Sequence, residues 1–141
     1  MICKLSDSEF EDILQVVNKA AVAYEGVIPA DRWREPYMPA EELHEEIRAG
    51  VEFYGFKENG SLIGVMGIQQ VMDVTLIRHA YVLTKHQRTG IGAKLLHHLL
   101  ILARTPVVLV GTWETASWAI RFYEKHGFRL VSPETRLSLA S

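Results

Sequence analysis

The sequence predicts a mixed α/β fold, and three observations predict it. A run of alternating residues folds back at Asn59-Gly60, with "VEFYGFKE" before the turn and "LIGVMGIQQ" after it, which is the signature of a β-hairpin. Downstream, the strand-like runs "VTLIRHAYVL" and "VVLVGT" alternate with helical segments, as in βαβ units. Ahead of the hairpin lie two helical patterns with capping residues. An antiparallel meander leading into βαβαβ units gives a mixed sheet with helices on both faces.

In chain order, "MICKLS" is a short first strand. Asp7 is placed to cap a helix running to about Tyr24, with Phe10, Ile13, Leu14, Val17, Ala20 and Ala21 on one face. "EGVIPADRWREPYMP" is a loop with three prolines. Pro39 suits a helix N-terminus, and "AEELHEEIRAG" stops at Gly50. The hairpin and "VTLIRHAYVL" follow, and a helix opens near Gly90 and ends before Pro106. "VVLVGT" is a short buried strand, "ASWAIRFYEKHG" a helix closed by Gly127, and "FRLV" another strand. The order is β-α-α-β-β-β-α-β-α-β. Only "SPETRLSLAS" remains, so a last strand is expected to be missing or truncated to a stub in "TRLSLAS". The edge this would leave invites pairing with a second copy, a homodimer.

A chain of 141 residues fits one domain, 1–141. No apolar run reaches the ~18–20 residues that span a bilayer, and "MICKLSDSEFED" turns acidic without a signal-peptide core. A cytoplasmic protein with no membrane partner is expected. The net charge of −2 argues against nucleic acid as a partner. Cys3 is the single cysteine, unable to form an internal disulfide and poor as a metal site. "HEEIR" carries Arg48 where a zinc protease needs its second histidine. His97 and His98 are adjacent on a helix and cannot share a face. His126 sits by a helix C-terminus, where a cation is favoured. No metal is expected.

Local charge says more than the total. From Val74 to Trp113 there is no Asp or Glu, yet Arg78, Lys85, Arg88, Lys94 and Arg104 lie in that window. Buried strands would lack the cations too, so the imbalance favours a bound anion. Within the window, Gln87-Arg88-Thr89-Gly90-Ile91-Gly92 stands between a strand and a helix. The first N–H groups of a helix have no partner inside it, and the macrodipole adds about half a positive charge there. Gly90 and Gly92 lack a Cβ, so a phosphate can approach the backbone closely, and Arg88 can add a charged donor. The Walker pattern is absent. The dinucleotide fingerprint fails at Leu95, and its acidic partner would fall inside the acid-free window.

The segment Q-R-T-G-I-G resembles the Q/R-x-x-G-x-G/A signature of the GNAT N-acetyltransferases, and "ASWAIRFYEKHGF", Ala116 to Phe128, resembles that family's A-x-x-F/Y-Y-x-x-x-G-F block. The two blocks stand in the family's order and spacing, and the element order is similar to its fold. The resemblance implies a GNAT-like acyltransferase fold and acetyl-CoA as co-substrate. It implies that Gln87, Arg88, Thr89, Gly90, Ile91, Gly92 and Ala93 hold the pyrophosphate of coenzyme A. It implies too that Ala80, Tyr81 and Val82 pair through main chain with the acetyl and pantetheine groups. The expected function is transfer of an acetyl group from acetyl-CoA to the primary amine of a small molecule or peptide. Tyr123 aligns with the tyrosine that protonates the leaving thiolate, and a tyrosine of pKa ~10 is protonated at neutral pH. A backbone N–H at the strand end would serve the oxyanion.

No residue stands out as general base. Leu76 and Arg78 cannot act as one, and His79 is expected on the opposite face of its strand. Glu25 and Glu35 are no better supported, and water relaying the proton is the remaining route. Ala116 replaces the asparagine frequent in the family. The acceptor is not legible: Trp33, Tyr37 and Tyr24 are candidates to shape its pocket, and Glu41 to Glu46 reads as a solvated helix face. A coenzyme-binding module without catalysis is therefore the alternative to an enzyme. A nucleotide-binding α/β domain is the third reading, and it lacks the acidic ribose ligand it needs.

Overall fold

A computed structural model describes residues 1–28, 30–31, 33–86, 89–112, 117–132 and 136–140. The strands are β1 (Ile2–Lys4), β2 (Glu52–Glu58), β3 (Ser61–Val71), β4 (Val74–Val82), β5 (Val107–Gly111), β6 (Arg129–Ser132) and β7 (Arg136–Ala140). The helices are α1 (Phe10–Ala21), α2 (Ala40–Arg48), α3 (Ile91–Leu102) and α4 (Ser117–Lys125). The strands form one sheet in the order β1-β2-β3-β4-β5-β7-β6. β4 and β5 are parallel, and the other pairs are antiparallel.

The local rules that shape these elements are visible residue by residue. Asn59 and Gly60 both take positive φ, 52° and 81°, and join Glu58 to Ser61 in the two-residue turn expected of Asn-Gly. The first helical segment begins with a short 3-10 turn, Asp7–Glu9, and its capping box joins Ser6 to Glu9, one residue ahead of the expected Asp7. α4 ends in a Schellman arrangement. Phe128 N–H donates to Tyr123 O at 3.1 Å, Gly127 N–H donates to Glu124 O at 3.1 Å, and Gly127 has φ 97°.

The expectation of a missing or truncated last strand is corrected by the structure. "RLSLA" forms β7, inserted between β5 and β6 and paired with both. Leu137 is fully buried and Leu139 packs on the same cluster, so the alternation within these residues is what holds the strand.

The sheet divides two cores. On one face α1, α2 and the loop between them cover Leu5, Val51, Phe53 and Val65 with Ile13, Val17, Met38 and Leu43. On the other, α3 and α4 cover Ile63, Met66, Ile77, Val108, Val110 and Leu137 with Leu95, Leu96, Leu99 and Tyr123. The loop between α1 and α2 is pinned by Asn18: its Nδ2 donates to Met38 O at 3.0 Å, and its Oδ1 accepts from Met38 N–H at 2.7 Å.

Two glycines in β3 let other elements come close. A Cβ on Gly64 would lie 3.2 Å from Ile91 Cγ2 and 3.4 Å from Leu95 Cδ1, so α3 sits tightly on the strand. A Cβ on Gly67 would lie 2.9 Å from Val51 Cγ1 and 3.0 Å from Arg78 O, a backbone atom of β4. Gly67→Ala is expected to destabilise the protein by about 1–3 kcal/mol, because backbone cannot yield as a side-chain tip can. A denaturant midpoint equal to that of the unmodified chain would contradict this.

Candidate active site

The site is built where β4 changes its partners. Its register with β5 runs from Val74↔Val107 to Ile77↔Val110 and ends there, although β4 continues to Val82. On its other side β4 follows β3, but with a bulge. Gly67 pairs with Arg78 and Val65 with Tyr81, so His79 and Ala80 together oppose Met66. His79 takes the extra residue's strain, with φ 54°. Beyond the bulge, Ala80 and Val82 pack toward the α3 side and Tyr81 toward the α1 side.

The bulge also overturns the expected direction of His79. In a regular strand His79 and Arg78 would lie on opposite faces. Instead both reach Glu46 of α2. Arg78 Nη2 donates to Glu46 Oε1 at 3.1 Å, and His79 Nε2 lies 2.8 Å from the same oxygen. Arg78 Nη1 donates to Gln69 Oε1 at 3.1 Å, and Gln69 Nε2 donates to Ala49 O at 3.0 Å. The His79 ring stacks on Phe53, with centroids 5.9 Å apart. The side chains of His79 and Glu46 are each 16% exposed. Burial pushes the His79 pKa below the ordinary histidine value, and the hydrogen bond to Glu46 pulls it back up. Glu46 is thus no member of a solvated face. The nearby Glu42 pairs instead with Arg34 of the loop.

The glycine loop follows β4 directly. A 3-10 turn, Thr84–His86, is succeeded by Gln87 and Arg88, which lie outside the described residues. The Thr89 hydroxyl donates to His86 O, and Gly90 caps α3 in the left-handed region, φ 83°. A glycine cap has no side chain to accept from the first-turn N–H groups. The first turn contains no acidic residue either. Thr89 and Gly90 are exposed, Gly92 and Ala93 half-buried, and Ile91 is anchored in the core. The two glycines differ in their reasons. A Cβ on Gly90 would meet nothing, and φ alone demands glycine there. A Cβ on Gly92 would face the Phe122 ring of α4 at 3.5 Å, an ordinary contact.

Tyr123 is buried, at 5% exposure, with Phe122 and Phe128 ring centroids 5.1 and 5.5 Å away. Ala116 lies outside the described residues, as does Trp113. Toward the α1 side, Trp33 stacks on Tyr37 at 5.8 Å, and Tyr37 meets Tyr81 edge-on at 6.3 Å. The loop therefore reaches β4 beside the bulge. The Tyr24 side chain is outside the description. Glu25 is exposed, and Glu35 accepts from Trp33 Nε1 at 3.3 Å.

Among the described residues, no group of three or more His, Cys, Asp or Glu side chains is arranged to hold a metal ion, and no helix is long and apolar enough to cross a membrane. His97 Nε2 lies 3.2 Å from His126 Nδ1, across α3 and α4. Sequence reasoning missed Glu46, Gln69 and Gly67. The available signal was the pair of glycines inside "LIGVMGIQQ", since a glycine within a strand marks a bulge or a close backbone approach.

The family model of the acetyltransferase (GNAT) domain matches residues 16–137. A search of curated protein sequences finds no match. Among solved structures, the chain is similar to the PaiA N-acetyltransferase from Thermoplasma acidophilum in complex with coenzyme A. The TM-score is 0.85 at 20% identity, over 100% of this chain and 98% of that one. It is similar to the ribosomal-protein-S18-alanine N-acetyltransferase from Escherichia coli, with a TM-score of 0.80 at 16% identity over 99% and 92%. It is also similar to a GNAT family acetyltransferase from Brucella melitensis in complex with acetyl-CoA, with a TM-score of 0.71 at 18% identity over 99% and 86%. With nearly the whole chain matched by the family model, and with the fold of these enzymes, the chain belongs to the acetyltransferase (GNAT) family, the N-acetyltransferases that draw on acetyl-CoA.

Proposed function

We propose that the protein transfers the acetyl group of acetyl-CoA to a primary amine by direct attack. The observation that carries this reading is the adjacency of two features. β4 leaves β5 after Ile77 and runs on to Val82, and after a short 3-10 turn α3 opens on a glycine cap without side-chain acceptors. The first supplies main chain at Ala80, Tyr81 and Val82 for the pantetheine and acetyl groups. The second supplies N–H groups from the Thr89–Ala93 segment for the pyrophosphate, and Gln87 and Arg88 precede that segment in the chain. Two structural neighbours, those from Thermoplasma acidophilum and Brucella melitensis, were solved with coenzyme A and acetyl-CoA.

In this reading the amine nitrogen attacks the thioester carbonyl, and the N–C bond forms as the C–S bond breaks. Tyr123 gives its phenolic proton to the leaving sulfur. A main-chain N–H at the bulge stabilises the oxyanion. His79 takes the ammonium proton: burial favours its neutral form, and the hydrogen bond to Glu46 opposes that shift and supports its basicity. The aromatic loop residues Trp33 and Tyr37 border the acceptor side, where they reach Tyr81.

The test is release of free thiol from acetyl-CoA against a panel of amines, small molecules and peptides alike, with coenzyme A binding measured in parallel. Turnover with at least one amine supports the enzyme. Tight binding with no turnover on any amine turns the reading to a coenzyme-binding module, and no binding at all defeats both. Of the features that suggested the module, the short C-terminus is answered by β7, which pairs with β5 and β6, and His79 at the bulge is a candidate for the base.

A further inference from the structure

We propose that Glu46, on α2, is a positioning residue for acetyl transfer: its Oε1 gathers Arg78 and His79 onto one face of the β4 bulge and fixes which nitrogen of His79 carries the proton. The inference rests on the acetyl-transfer reading for its kinetic part and on the geometry alone for its structural part.

Three independent features meet at His79. It is the extra residue of the bulge, where β4 has just left β5. It is not glycine, yet φ is 54°, in the left-handed region that is unfavourable for an L-residue with a side chain. Such strain persists only where the surroundings over-determine it, and it gathers at functional sites. Here the surroundings are identifiable. Phe53 lies against one face of the ring, Glu46 holds Nε2, and Gly67 makes room for the displaced Arg78 carbonyl.

Sharing one oxygen between two donors has a chemical consequence. Arg78 places Nη2 on Glu46 and Nη1 on Gln69, so its charge offsets part of that of Glu46. The carboxylate accepts, so His79 must donate from Nε2, and the lone pair is left on Nδ1. A carboxylate behind an imidazole fixes its tautomer and raises its basicity, as it does behind metal-bound histidines. The charged groups acting on His79 are Glu46 and Glu42 from α2, which favour the protonated form, and Arg78 from β4, which opposes it. Without Glu46, the balance moves further toward the neutral ring, and either nitrogen can hold its proton.

The experiment is Glu46→Gln, an isosteric change that removes the charge and lets the amide present either its oxygen or its NH2 to the ring. The first readout is the 15N NMR titration of the His79 imidazole, which needs no activity. The wild-type ring is expected to be protonated on Nε2 and to titrate below the ordinary histidine value. In the variant the midpoint moves to lower pH and the tautomers mix. The second is kinetics: kcat falls about tenfold or more, KM for acetyl-CoA stays within about twofold, and the acid limb of the kcat profile follows the His79 midpoint downward. A purely structural ion pair would change melting temperature without moving that limb. An unchanged tautomer and midpoint overturn the proposal, as does an unchanged kcat in an active wild type. A wild type inactive on every amine defeats the acetyl-transfer reading, while the titration still decides whether Glu46 positions His79. Should Glu46→Gln not fold, Glu46→Asp carries both readouts, with the same charge set back by one methylene.

Discussion

Gly90→Val should weaken coenzyme A binding by about a hundredfold or more, while leaving the protein folded. Two costs are distinct here. A Cβ at this position would meet no other atom of the chain, so the substitution creates no clash inside the protein. What it does create is strain, because Gly90 caps α3 at φ 83°, and a β-branched residue is a genuine outlier there. That strain is about 1–2 kcal/mol. The remaining loss belongs to the ligand: the new side chain stands where a phosphate must reach the first-turn N–H groups, and a hundredfold loss corresponds to ~2.8 kcal/mol. Gly60→Val is the matched control. Gly60 has φ 81° and equally open space, but it lies in the hairpin turn between β2 and β3. Both variants should melt a few degrees lower, and only Gly90→Val should lose coenzyme A by calorimetry. Equal affinity in the two variants would remove the glycine cap from the binding site. Gly92→Ala should bind within about threefold of wild type, because a Cβ there makes an ordinary contact with Phe122 at 3.5 Å.

That contrast shows what sequence could carry and what it could not. From sequence the two glycines look alike, two residues apart between a strand and a helix, and both read as making room for a phosphate. Only backbone dihedrals and the neighbouring helix reveal that one is required by φ and the other faces α4. Elements governed by local rules were legible: the Asn59-Gly60 turn, the Gly127 helix end with Phe128 behind it, and the helical stretch of α3. The final strand was underread because only five residues carry it, though their alternation was present. For the cluster at the bulge, the glycines of β3 hinted at the irregularity, but nothing in the sequence named the side chains that meet there. Glu46 lies 33 positions from His79, and nothing local marks it off from the other glutamates of α2. Strict alternation placed His79 on the wrong face because a bulge inserts one residue into the count, and a one-residue offset reverses every side chain beyond it.

Tyr123→Phe is expected to lower kcat about a hundredfold, with coenzyme A affinity and KM for acetyl-CoA changed by no more than about threefold. The ring and main-chain contacts of Tyr123 are ones a phenylalanine keeps. Its ring packs between Phe122 and Phe128, and its carbonyl accepts from His126 N–H at 3.0 Å and Phe128 N–H at 3.1 Å in the α4 terminus. Loss of the hydroxyl is worth about 0.5–1.5 kcal/mol of stability, whereas Tyr123→Ala would open a cavity and cost about 3–5 kcal/mol. A drop in kcat with an intact fold would therefore belong to the hydroxyl, and kcat within twofold of wild type would return Tyr123 to the core alone. The leaving group gives the more discriminating comparison. A general acid matters most when the departing thiolate is basic and least when it is a weak base. The ratio of wild type to Tyr123→Phe should therefore shrink when acetyl-CoA is replaced by an acetyl thioester of a more acidic thiol. If the hydroxyl only positioned the donor, the ratio would be the same for both thioesters.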